Sequence, residues 1–266
     1  MIRTGLPVAA EPAPTSRLDR YFFGAEPAGR LRAARAGLAA LLLLRLAFGP
    51  FADLAGQPAA LFHPVWFLRA FQGMPPLGVL VTAQVIGVTA AALAVLGRRE
   101  RATFFVAWTC LLFLGGLRAS RGKIQHNELL LILTCVPFLL APVGQALSDR
   151  RRSWRFGWPI RTGIAVIAVV YFLTGFQKVV GSGPAWVLGD NLRNVMYITL
   201  GSDKPPTHVV ALFIAERAWL AHLVAAGTLA FELGSVTIVF WPRIRPWFAL
   251  ASVVMHASIY ATHGLD

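Results

Sequence analysis

Residues 76–96 read PLGVLVTAQVIGVTAAALAVL, and Gly97-Arg98-Arg99-Glu100-Arg101 follows at once. The stretch carries no charged side chain, and about 20 such residues are what an α-helix needs to cross the hydrocarbon core of a bilayer. It is too long and too continuous for the strand of a membrane barrel, and lipid offers the backbone no partner outside a helix or a closed barrel. Comparable blocks recur along the chain. They predict spans over residues 33–51, 76–96, 102–118, 126–146, 159–180, 217–240 and 246–263. The expected fold class is therefore all-α: a polytopic transmembrane helix bundle of about seven spans, with re-entrant or interfacial helices on its outer side.

Composition agrees. Only 14% of the chain is charged and 56% is hydrophobic, where a soluble domain carries roughly a quarter charged residues. A mean hydropathy of +0.62 excludes a disordered chain, whose defect is too little apolar surface. The net charge of +13 suggests nucleic acid at first sight, but the bases sit in short runs beside the apolar blocks. The runs are Arg30, Arg32 and Arg35; Arg98, Arg99 and Arg101; Arg150, Arg151, Arg152 and Arg155; and Arg243 and Arg245. Lysine and arginine collect in cytoplasmic loops of membrane proteins. A cytoplasmic N-terminus puts all four runs inside, and no basic soluble domain remains to bind nucleic acid. The expected location is a plasma or bacterial inner membrane, with the lipid bilayer as the first partner. Trp154, Trp158, Trp241 and Trp247 fall at predicted span ends, where amphipathic rings belong.

Residues 1–30 read as a cytoplasmic N-terminal tail, because no apolar core lies near the start as a signal peptide requires. Its later part, from Arg17 with Tyr21-Phe22-Phe23, is an interfacial lead-in. Residues 31–266 form a single transmembrane domain. Two outer connectors are long. Residues 52–75 hold His63-Pro64-Val65-Trp66 and a short re-entrant or interfacial helix; residues 181–216 end in an apolar stretch, His208 to Ala215, too short to span. A third, from Arg118 to Glu128, keeps Arg118, Arg121 and Lys123 on the translocated side, against the sorting rule. They are either sequestered by carboxylates or line a polar site.

Ionisable groups inside spans are costly and ask for a partner or a purpose. Tyr171, Thr174, Gly175 and Lys178 share one face of the fifth span, with Gly175 leaving room one turn before the amine. A desolvated lysine serves as a base; the alternative is a lysine snorkelling to the outer headgroups. His126 opens the fourth span beside Asn127 and Glu128, either orienting a substrate or facing interfacial water. Ser252, His256, Tyr260 and His263 make a polar stripe on the last span, and Thr228, Glu232 and Ser235 another on the sixth. Arg45 is the candidate partner of Glu232 in a structural polar network. Cys110 and Cys135 lack a C-x-x-C spacing and read as packing residues. No metal-ligand spacing, phosphate loop or G-x-S-x-G is present. Neither paired broken spans nor internal repeats suggest a transporter.

Four stretches together resemble the HTTM (horizontally transferred transmembrane) domain family, whose best-known members are vitamin K-dependent γ-glutamyl carboxylases. They are Leu44-Arg45-Leu46; Gln125-His126-Asn127-Glu128; Tyr171-Phe172-Leu173-Thr174-Gly175-Phe176-Gln177-Lys178 with Trp186-Val187-Leu188-Gly189; and the spans of Glu232 and His256. The resemblance covers roughly residues 17–266. It implies a carbon–carbon lyase type of activity: a reduced naphthoquinone (vitamin K or menaquinol type) and oxygen drive proton abstraction, and carbon dioxide adds to the carbanion. By motif position Lys178 resembles the base that deprotonates the quinol, and His126 resembles the histidine that stabilises the carbanion or positions the substrate. Tyr171, Gly175, Trp186, Asn127 and His256 are the candidate substrate contacts, in a site facing the non-cytoplasmic side. The substrate class implied is an exported peptide or protein. The chain departs from the animal enzymes in having no large lumenal portion, and Gln177 stands where they tend to carry a second lysine. Family members also have a span after the His256 helix, so the expectation is a chain cut short of it. The competing expectation is a non-catalytic membrane factor that binds an exported peptide or lipid during its maturation.

Overall fold

The computed structural model describes residues 16–121, 126–200 and 208–263. After a short helix α1 (Arg17–Phe22), long helices fall on the predicted blocks: α2 (Ala28–Phe48), α3 (Leu77–Val95), α4 (Glu100–Ala119), α5 (His126–Leu140) and α6 (Trp154–Ser182). The second half continues with α7 (Ala185–Leu188), α8 (Asn191–Leu200), α9 (His208–Ala215), α10 (Ala218–Gly234), α11 (Thr237–Phe240) and α12 (Arg245–His263). The only sheet among the described residues is one antiparallel pairing, β1 (Glu26–Pro27) with β2 (Arg152–Ser153). The described residues are thus mostly helical.

By length and apolarity α3, α4 and α6 can each cross a membrane, and α9 with α10 makes a fourth if that pair, bent by 101°, is one span. The other predicted spans differ for physical reasons. Helix α5 stops at Leu140 rather than near 146, because Pro142 cannot continue it. The sixth block breaks after Gly234 and resumes as α11, with Ser235 Oγ donating to the Ala168 carbonyl at 2.7 Å. Helix α2 carries Arg30, Arg32, Arg35 and Arg45. In place of one interfacial helix, residues 52–75 fold as three 3-10 turns (Ala52–Leu54, Ala59–Leu61 and Trp66–Ala70), since Pro58 and Pro64 interrupt any longer run. These turns hang on Ser120, whose carbonyl accepts from His63 N at 2.7 Å and whose Oγ accepts from Val65 N at 3.2 Å.

The main core lies among α2, α3, α4 and α5, built from Leu31, Leu42, Leu46, Leu80, Phe104 and Leu111 and completed by small residues. Cys135 is buried there, and Cys110 packs over Gly87, where an added Cβ would come within 2.8 Å of the cysteine Cβ. Both cysteines are packing residues, as their spacing suggested.

Two buried carboxylates pin this half. At one end Glu100 takes Arg35 at 3.0 Å and Arg32 at 3.8 Å, and Arg35, 1% exposed, also donates to the carbonyls of Phe138 and Pro142. At the other end Glu128 takes Arg45 and Arg118. Arg118, one of the bases expected to oppose the sorting rule, is sequestered by a carboxylate; Arg121 is exposed, and Lys123 lies outside the described residues.

The N-terminal segment is clasped to the end of the bundle near Glu100. Ser16 and Asp19 form a capping box on α1. The first N–H groups of α2, which has no side-chain cap, donate to the carbonyls of Arg151 and Asp149 at 2.8 Å. Glu26 bonds both Arg161 and Arg30 at 2.9 Å, and Phe23 packs edge-on against Trp154. These contacts gather the basic runs at 30–35, 98–101 and 150–155 at one end of the bundle.

Burial pushes the Glu26 carboxyl up, but hydrogen bonds and charge from Arg161 and Arg30 outweigh it, leaving the group below its ordinary value. A carboxyl lowered by folding stabilises above its unfolded value and loses that contribution as pH falls through the folded one. Trp154 fluorescence in detergent is expected to report release of the clasp as pH drops below about 4, and Glu26→Gln to show the released spectrum at neutral pH. For the buried charges, Arg35→Ala should lower stability by up to roughly 3–5 kcal/mol, because it leaves the buried Glu100 only the more distant Arg32, at 3.8 Å. A smaller loss on replacing Arg35 and Glu100 together by apolar residues, measured by thermal melting in detergent, checks the cause.

Candidate functional site

On α6, Tyr171, Gly175 and Lys178 occupy one face as their spacing required, and that face meets α10. Gly175 is what permits the approach: a Cβ there would lie 2.8 Å from the Glu232 Cβ. With no side chain in the way, Glu232 lies beside the lysine, and Lys178 Nζ stands 2.5 Å from Glu232 Oε1. Trp186 on α7 closes the other side, its ring centroid 4.9 Å from the amine. The Glu232 side chain is 8% exposed and that of Lys178 is 23% exposed.

The pair is incomplete as a hydrogen-bonding group. Glu232 Oε2, Trp186 Nε1 and His222 Nε2, the last on α10, are buried and have no partner among the described residues. Buried polar atoms are nearly always satisfied, and an unsatisfied one costs about 1–3 kcal/mol. A buried ion pair is itself a poor source of stability, since desolvation offsets most of the attraction. Lys178, Glu232 and Trp186 therefore form a site with an acceptor and a donor to spare.

Two turns below Lys178, Tyr171 Oη lies 3.2 Å from Ser252 Oγ and 3.4 Å from His256 Nε2. His256 Nδ1 is 2.8 Å from the Ser252 carbonyl, which can only accept, so that nitrogen carries the hydrogen. In the neutral ring Nε2 is then the acceptor for the tyrosine hydroxyl. The Tyr171 ring packs edge-on against Phe231 and Phe248, which stack on each other. Below this lies a cavity of about 440 Å³, lined by Ile164, Ile167, Tyr171, Arg245, Phe248 and Ser252; Lys178 is outside its lining.

The expected site residues are thus brought together in part. Lys178, Gly175 and Trp186 converge directly, and Tyr171 and His256 form a second polar point on the same helix face. The side chains of His126 and Asn127 lie outside the described residues; their backbone opens α5, whose Glu128 holds Arg45 and Arg118. The partner expected for Glu232 was Arg45, but Glu232 takes Lys178 and Arg45 takes Glu128. The geometric reason is Gly175, which seats Glu232 against the lysine. The sequence reading missed His222 and Arg245. For His222 the available signal was its place one turn inside the sixth block, an ionisable group in an apolar run. No family model, curated protein or solved structure matches this chain.

Gly175→Ala is expected to push α10 away from α6 at a cost of about 1–3 kcal/mol. The Lys178–Glu232 contact should lengthen. A cross-link between cysteines introduced at residues 174 and 231 should form less readily in the alanine variant than in its glycine parent.

Proposed function

We propose that the protein is a multi-pass membrane protein of seven spans with a cytoplasmic N-terminus, acting on a reduced quinone at an outward-facing site centred on Lys178. The gathering of basic runs at one end of the bundle supports the orientation, by the sorting of lysine and arginine to the cytoplasmic side. Helices α2, α5 and α12 complete the seven. The paired ends of α2 make it admissible, because its buried arginines are neutralised by Glu100 and Glu128.

The single observation that carries the functional reading is the Lys178–Glu232 contact at 2.5 Å, flanked by unsatisfied Trp186 Nε1 and Glu232 Oε2. One donor and one acceptor beside an aromatic wall suit a hydroxyl-bearing ring, so the residues present fit a quinol. When bound, a reduced quinone supplies the electrons that reduce oxygen. The protein's own part is to hold the ring against Trp186 and to move a proton. The Lys178 ammonium passes its proton to Glu232 Oε1 across the short contact, leaving a free amine and a carboxylic acid. That amine accepts the proton of a hydroxyl placed beside it, and the pair has then taken up one proton in all. Proton abstraction from an exported peptide and its carboxylation follow from the HTTM resemblance, with oxygen and carbon dioxide as co-substrates.

A second reading, a non-catalytic factor binding an exported peptide or lipid, is favoured by the same salt bridge taken as a fixed charge anchor. The two part at Lys178→Arg. Arginine keeps the charge and the carboxylate partner but cannot become a free base. In membranes supplied with menaquinol or phylloquinol and oxygen, the enzymatic reading expects Lys178→Ala and Lys178→Arg both to lose about 10²- to 10⁴-fold in epoxide formation, with expression unchanged. Retained function in Lys178→Arg supports the anchor. Absence of epoxide from wild-type membranes with either quinol sinks the enzymatic reading.

A further inference from the structure

The cavity of about 440 Å³ between α6 and α12 is unlike the Lys178 site, and its two ends differ from each other. Along its length it is walled by Ile164, Ile167 and Phe248, and it ends on the Tyr171 and Ser252 hydroxyls, which already bond each other. At its other end stands Arg245. That arginine is half-buried; its Nε donates to the Ile238 carbonyl at 2.8 Å and one Nη to the Val239 carbonyl at 3.4 Å. Carbonyls satisfy N–H groups but do not neutralise a guanidinium. Among the described residues no carboxylate lies within salt-bridge distance of Arg245, whereas Arg32, Arg35, Arg45 and Arg118 each have one.

Exposed Trp241 and Trp247 flank Arg245 in sequence, as residues at the headgroup level do.

We infer that this cavity holds one acyl chain of an anionic phospholipid, with the lipid phosphate seated on Arg245. A cavity within the range of roughly 300–1,000 Å³ that suits small ligands, apolar along its walls and cationic at its mouth, is complementary to an amphiphile of negative charge. Basic pockets between helices on the cytoplasmic side recognise anionic headgroups in this way. A neutral quinone would leave the guanidinium unmatched, and an apolar helix of a second copy would do the same. The inference rests on the protein being embedded in a membrane and not on any activity at Lys178.

The test is native mass spectrometry of the whole chain released from nanodiscs made of phosphatidylglycerol and phosphatidylcholine in equal parts. Wild type should retain phosphatidylglycerol in preference to phosphatidylcholine. Arg245→Gln should cut that preference about fivefold or more, since one such charge contributes about 1 kcal/mol. Because Arg245 also holds α11 through two carbonyls, a second variant leaves it intact: Ala249→Phe, at an exposed position of the cavity lining, should reduce retention of both lipids by filling the groove. Equal retention of the two lipids by wild type, or a preference that survives both Arg245→Gln and Ala249→Phe, overturns the inference. So does a quinone or a second protomer found in the groove of the wild-type protein. The readout is the same whichever side the N-terminus occupies, so it fails or succeeds independently of the orientation and of the quinol chemistry.

Discussion

An ionised carboxylate inside an apolar bundle has to be met by a cation, and the rest of this structure follows from how three of them are met. Glu100 joins α4 to α2 through Arg32 and Arg35, Glu128 joins α5 to α2 and α4 through Arg45 and Arg118, and Glu232 joins α10 to α6 through Lys178. Each removes from lipid a charge that would otherwise be costly there. The first two are met by two arginines each, and the forked guanidinium of Arg35 also satisfies the carbonyls of Phe138 and Pro142. The third is met by a single lysine, and one of its oxygens has no partner among the described residues. That difference separates charges that hold helices together from a charge pair with capacity left over.

Much of the architecture was legible because apolar run length and proline placement are local properties. The blocks at 76–96 and 102–118 became α3 and α4 nearly as read, and the stretch from His208 too short to span became α9. Where the reading erred, the cause was local chemistry inside a block: Pro142 ending α5, Ser235 breaking the sixth block, and prolines dividing the 52–75 connector into single turns. Helix α2 is the instructive case. Its arginines lower its apolarity, yet Arg35 is among the most buried side chains of the protein, because its charge is met elsewhere in the chain.

The candidate site was legible on one helix only. Period 3.6 put Tyr171, Gly175 and Lys178 on a common face. Gly175 was read as open room beside the amine, whereas Glu232 and Leu233 fill it, and the sequence did not say which residues would. Glu232 lies 54 residues from Lys178 in sequence, and Glu128 offered Arg45 an equally plausible carboxylate. Charge complementarity alone leaves such assignments degenerate; backbone clearance at Gly175 resolves this one.

The arginines of α2 have one more consequence. Arg35 and Arg45 are ten positions apart, about 15 Å along the axis, and each is locked to a different carboxylate. A slide by a single turn would break the Arg35–Glu100 contact and leave Glu128 with Arg118 alone, so α2 is held in axial register like a beam bolted at two points. Between α6, α10 and α12, by contrast, the ties among the described residues are one lysine–carboxylate pair and a few hydroxyls, so this side opens at lower cost than α2 slides.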